Sequence, residues 1–158
     1  MSQHNSDFPL RCMREIKDRK IRLIIADDKQ RYLDYWYEVI DPDVFDITVG
    51  YNSVEILEKF NGNPEAYDAL ITDISMHLEN EKGLMGNMKG EFAGISLAKE
   101  LRKIGFKGDI ALASTGIDDF IGQILSHLIM GFFGVDWLIP KRTLVKGNPQ
   151  FIRSHLFW

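Results

Sequence analysis

At 158 residues, with 45% hydrophobic and 27% charged side chains, the chain suits one domain with a proper core, and neither disorder nor two full domains. A formal net charge of −4 argues against coating nucleic acid by charge alone, so no direct nucleic-acid partner is expected. Cys12 is the single cysteine, which excludes an internal disulfide, and the polar N-terminus lacks the apolar core of a secretion signal, so a cytoplasmic setting is expected.

Residues 1–20 read as an N-terminal extension, with a short helix over 9–18 supported by Pro9 and by the spacing of Leu10, Met13 and Ile16. Arg11, Arg14, Lys17, Arg19, Lys20 and Arg22 cluster here, but Glu15 and Asp18 dilute them. The cluster therefore reads as a solvated helix face rather than a nucleic-acid arm. The domain proper is expected over 21–158. Ile21, Leu23, Ile24, Ile25 and Ala26 mark a first strand over 21–26 that runs into Asp27 and Asp28. A helix is expected over about 30–40, with Leu33, Trp36, Tyr37 and Ile40 on its apolar stripe. Asp41, Pro42 and Asp43 break it, and 45–49 alternates as a second strand closed by Gly50. Asn52 followed by Glu55 has the capping-box spacing and opens a helix expected to bury Val54, Leu57 and Phe60.

After Gly62, Asn63 and Pro64, the stretch 67–76 carries a third strand, an apolar run with Asp73 at its end. The pattern then stalls over about 76–93, where Gly83, Gly86 and Gly90 sit among scattered charges; this segment reads as an insertion. Helical spacing resumes with Ile95, Leu97, Ala98, Leu101 and Ile104, and Gly105 supplies the stop. A fourth strand over 109–113 runs into Ser114, Thr115 and Gly116. The next helix, over 118–131, carries Phe120, Ile121, Ile124, Leu125, Leu128 and Ile129. Gln123, His127 and Asp136 interrupt the apolar run 120–139, so no membrane span is expected. A fifth strand over 135–139 ends at Pro140 and Lys141, and an apolar tail adds Phe151, Ile152, Leu156, Phe157 and Trp158. Five alternations of strand and helix predict an α/β fold, a doubly wound five-stranded parallel sheet with helices on both faces, in a single domain.

In such sheets ligands bind outside the carboxyl ends of the strands. Those ends carry Asp27 and Asp28, then Asp73, then Ser114 or Thr115, then Lys141. Each has a plainer reading: Asp73 or Thr115 as a helix cap, the Asp pair as company for a helix N-terminus, Lys141 as a surface lysine. Taken together they read as a site. Three crowded carboxylates raise one another's pKa, and a divalent cation resolves the repulsion. Oxygen ligands without His or Cys select a hard ion, and Mg²⁺ suits so few carboxylates. Mg²⁺ with a lysine and a hydroxyl can stabilise a transferring phosphoryl group, and an Asp carboxylate in that setting can be the nucleophile.

Residues 21–145 resemble the receiver domains of two-component response regulators. The resemblance rests on Asp27-Asp28 after an Ile-rich strand, on Asp73-Ile74-Ser75-Met76, on Ser114-Thr115-Gly116, and on the run from Gly134 to Lys141. Each motif is weak alone; four in order at successive strand ends are strong. The resemblance implies that Asp73 accepts the phosphoryl group from a histidine kinase or phosphotransfer protein. It implies that Asp28, Asp73 and the Ser75 carbonyl hold Mg²⁺, with Asp27 acting through water. Lys141 would pair with the phosphoryl oxygens, and Thr115, followed by the small Gly116, would supply the hydroxyl. Such a protein catalyses at most its own phosphorylation and dephosphorylation.

Some positions depart from the family pattern. His77 stands where Pro is usual, and 21 positions separate Asp73 from Gly94, the glycine matching the family's. Arg142 replaces a usual Pro, and Leu138 stands where many members carry the aromatic that turns inward on activation. An alternative of another class is a pseudo-receiver that signals by partner binding without phosphorylation. A Mg²⁺-dependent phosphohydrolase using Asp73 is a third reading, but no second acid is placed to protonate a leaving group. The 118–131 helix, fifth strand and tail suggest self-association as a homodimer.

Overall fold

The computed structural model describes residues 18–76, 92–115 and 131–142. Five strands, β1 (Ile21–Ala26), β2 (Phe45–Gly50), β3 (Ala69–Asp73), β4 (Asp109–Ser114) and β5 (Trp137–Pro140), alternate with α1 (Gln30–Val39), α2 (Ser53–Phe60) and α3 (Ala93–Lys103). The strands form one parallel sheet in the order β2-β1-β3-β4-β5. The expected fold class is therefore the observed one.

The alternation of side chains along β1 decides which helix covers which face. Ile21, Leu23 and Ile25 join Leu33, Trp36, Val39 and Ile40 of α1 and its end in one core. Ile24 and Ala26 point the other way, into a core with Ile56 and Phe60 of α2 and Leu97, Ala98 and Leu101 of α3. Helices thus cover both faces. Trp36 and Phe60 are essentially solvent-free, and truncating either to Ala costs about 3–5 kcal/mol at such sites.

Local signals fix the helix ends. Asn52 Oδ1 accepts the Glu55 N–H at 2.8 Å, and the Glu55 carboxylate takes the Tyr51 N–H at 2.8 Å, a capping box displaced by one residue on its return bond. At the end of α3 the Gly105 N–H donates to Arg102 O and the Phe106 N–H to Leu101 O. This is the Schellman pattern, with Gly105 at φ +94° where an L side chain would be strained.

Five expectations need correction. Val54 is exposed and Ile56 is buried, because Val54 and Phe60, six residues apart, lie about 120° apart around a helix. Tyr37 is half exposed and Tyr32 takes its place in the interior. Ile104 is also exposed, lying past the last turn of α3. The fifth strand begins at Trp137, two residues later than expected, because the Ile110 N–H donates to the Asp136 carboxylate rather than to a strand carbonyl. Nor do Arg19 and Arg22 lie on a solvated helix face: both are ion-paired to Asp68 at the opposite end of the sheet from the acid cluster. The rest of the N-terminal extension, the 118–131 helix up to 130, and the tail lie outside the described residues. Within those described, no helix is long and apolar enough to cross a membrane.

Candidate phosphoryl-acceptor site

The chain winds from β1 outward to β2, then back across β1 to β3, so the strand order reverses between β1 and β3. A crevice opens at the carboxyl end of such a reversal. Register fills it with carboxylates. Ala26 pairs with Thr72, so the next residues, Asp27 and Asp73, emerge side by side. The pleat sets the side they face. Ile25, Ile71 and Ile139 point into the α1-side core, and a period of two carries Asp27, Asp73 and Lys141 to that same side.

There Lys141 is a buried cation bridging two buried acids. Its Nζ lies 2.6 Å from Asp27 Oδ2 and 2.7 Å from Asp73 Oδ2, and its side chain is 1% exposed. Asp27 Oδ1 accepts the Lys29 N–H at 3.0 Å, and Asp73 Oδ1 accepts the Ser75 N–H at 3.3 Å. Burial pushes the Asp27 carboxyl above its ordinary range, helped by the nearby Asp73 and opposed by Lys141. The surface-lysine reading of Lys141 is thereby excluded.

Asp28 completes the cluster: one carboxylate oxygen from each of Asp27, Asp28 and Asp73 lies within 4.8 Å of the others. Among the described residues this is the one such group, and it contains no His or Cys. Three carboxylates against one ammonium leave the site an excess of two negative charges when all are ionised. Oxygen donors with that surplus fit a hard dication such as Mg²⁺. Ser75 is exposed just past Asp73, Ser114 ends β4 half-buried, and Thr115 follows it exposed. All the expected site residues therefore lie at the carboxyl edge of the sheet.

The backbone beside Asp73 admits no side chain from α3. A Cβ on Gly94 would stand 2.0 Å from the Asp73 carbonyl oxygen, and the Gly94 N–H donates to Ile74 O at 3.0 Å. Met76 and Ala93, at the two ends of the expected insertion, are both buried. The intervening residues 77–91 lie outside those described. Sequence reasoning missed Tyr32, whose ring centroid is 4.1 Å from Lys141 Nζ. An aromatic one helical turn after Asp28 was the available signal.

No protein-family model matches the sequence, and no curated protein does. Solved structures do match. The response regulator domain of Thermotoga maritima CheB superposes with a TM-score of 0.61 at 19% identity, covering 86% of this chain and 93% of that one. The non-phosphorylated HemR receiver domain from Leptospira biflexa gives 0.60 at 17% identity, covering 85% and 90%. The isolated receiver domain of RcsB from Salmonella enterica serovar Typhimurium, with a beryllofluoride phosphomimetic, gives 0.58 at 17%, covering 84% and 82%. With its strand order, its covered faces and these likenesses over most of its length, the chain has the fold of response-regulator receiver domains.

Proposed function

We propose that the chain is a phosphorylation-dependent switch of a two-component system, taking a phosphoryl group onto Asp73 from a histidine kinase or phosphotransfer protein in the cytoplasm. The observation that carries this reading is Lys141, buried between Asp27 and Asp73 at 2.6 and 2.7 Å. A cation so enclosed is costly to desolvate and is retained where it has charge to handle. Mg²⁺, held by Asp28, Asp73 and the Ser75 carbonyl, with Asp27 reaching it through water, would offset the negative charge of the incoming phosphoryl oxygens.

The chain's own residues do the rest. A carboxylate oxygen of Asp73 attacks phosphorus, so that an O–P bond forms as the P–N bond to the donor histidine breaks. The imidazole leaves with the bonding pair and takes up a proton. Lys141 then has a phosphoryl oxygen to pair with, and the Thr115 hydroxyl donates to another. Asp27 acts through water. The protein turns over nothing beyond its own phosphorylation and dephosphorylation.

One observation favours the pseudo-receiver alternative. Leu138 packs half-buried against the core on the α2/α3 side, so no aromatic ring is available there to swing with the modification. Titration with beryllofluoride, followed by NMR, separates the readings. Amide shifts around Asp73 and Lys141 that need Mg²⁺ and vanish in Asp73→Asn are expected of the switch. Absence of any such shift in the wild type would leave the interaction module. We propose self-association through the side of the molecule where β5 forms the edge of the sheet. Sedimentation at micromolar concentration tests it, a strictly monomeric protein with and without the mimic being the contrary result.

A further inference from the structure

We infer that Tyr32 is a positioning residue for the Lys141 ammonium, the ring face supplying the third contact of a cation whose other two go to Asp27 and Asp73. This rests on the reading of Asp73 as phosphoryl acceptor for its consequence, though not for its geometry.

An ammonium has three N–H donors and no acceptor, and in a buried place each needs a partner. Lys141 is 1% exposed and spends two donors on Asp27 Oδ2 and Asp73 Oδ2. The centroid of the Tyr32 ring stands 4.1 Å from Nζ, well inside the range of a cation–π contact, and Tyr32 is itself 5% exposed. Desolvation strengthens the attraction.

The loop after β1 builds this enclosure as a unit. The Lys29 N–H holds Asp27 Oδ1 at 3.0 Å, while Lys29 O accepts the Tyr32 N–H at 3.0 Å. One residue thus fixes both the acid on one side of the ammonium and the ring on another. The ring is held from outside as well: Arg31 donates to the Tyr32 hydroxyl at 3.3 Å, and Tyr35 meets the ring edge-on at 6.3 Å. A lysine with a flexible four-carbon stem is thereby confined to one geometry. That confinement presents the charge beside Asp73 before the phosphoryl group arrives, which is what preorganised electrostatic stabilisation requires.

The test compares wild type, Tyr32→Phe, Tyr32→Leu and Tyr32→Met, each checked for folding by thermal melting. Phe keeps the π face; Leu and Met fill the space without it. The positioning readout is NMR of the Lys141 side chain, where a ring-current shift should persist in the Phe variant and vanish in the Leu and Met variants. The functional readout is the rate of Asp73 labelling by acetyl phosphate. It should hold within about twofold in the Phe variant and fall about five- to thirtyfold in the others, the range a desolvated cation–π contact supplies. Equal Lys141 shifts in all four proteins would overturn the inference, as would equal labelling rates among folded variants. If the wild type itself does not label, the acceptor reading fails, and the Lys141 shifts alone then decide whether Tyr32 holds the ammonium.

Discussion

Gly94 and Ile74 are joined by a 3.0 Å hydrogen bond from N–H to carbonyl, although 20 positions of sequence separate them. The chain leaves the site after Asp73 and returns to the same spot. Its return is possible only because residue 94 lacks a side chain, since a Cβ there would lie 2.0 Å from the Asp73 carbonyl oxygen. Gly94→Ala should therefore shift backbone rather than a flexible tip. The expected loss is about 1–3 kcal/mol, the usual range for overpacking, read by urea unfolding. An unchanged midpoint would mean that α3 can recede at no cost.

Lys141→Met should be among the most damaging single changes. It leaves Asp27 and Asp73 buried together without their cation, at a cost of about 3–5 kcal/mol. The double variant Lys141→Met with Asp27→Asn should recover part of that loss, because removing one carboxylate relieves the repulsion. A double-mutant cycle with additive effects would show that the 2.6 Å pair carries no coupling.

At the opposite end of the sheet, Asp68 accepts hydrogen bonds from Arg19, from the Arg22 side chain and from the Arg22 N–H. Burial alone would raise its pKa, but the two arginines outweigh it and hold the carboxyl well below the usual range. A depressed folded-state pKa gives stability that is present above the unfolded pKa and is lost as pH falls toward the folded one. Asp68→Asn should thus be less stable than wild type at neutral pH, by about 1–2 kcal/mol after discounting for the partly exposed arginines. The gap should close on acidification below about pH 4. A gap independent of pH would assign the effect to packing.

The fold and the site were unequally legible in the sequence. Strand ends were plain because Asp27, Asp73 and Lys141 interrupt apolar runs, and a parallel sheet brings such ends to one edge. The depth of Lys141 was not legible, since nothing in Pro140-Lys141-Arg142 tells a buried lysine from the exposed arginine beside it. Tyr32 was missed for a related reason. Its place four residues before Trp36 puts it on the buried stripe of α1, but the ammonium it meets comes from β5, more than 100 positions away, and helical periodicity does not report that contact. Asp136 shows the same limit: it meets Arg102 at 2.8 Å and the Ile110 N–H at 2.8 Å, contacts set by tertiary structure that delay the start of β5.

Mg²⁺ affinity should depend on Asp28, the least buried member of the cluster. Titration followed by NMR or by tryptophan fluorescence should give weaker binding in Asp28→Asn than in wild type, by about tenfold for the loss of one charged ligand. Binding should also weaken as the carboxylates become protonated at low pH. Equal affinities in the two proteins would remove Asp28 from the ligand set.

Whether Asp73 is the nucleophile is read by peptide mapping with mass spectrometry after incubation with acetyl phosphate and Mg²⁺. The expected result is one phosphoryl adduct on the peptide containing Asp73, absent without Mg²⁺ and absent in Asp73→Asn. Full labelling of Asp73→Asn, or no adduct on the wild type, would contradict that role.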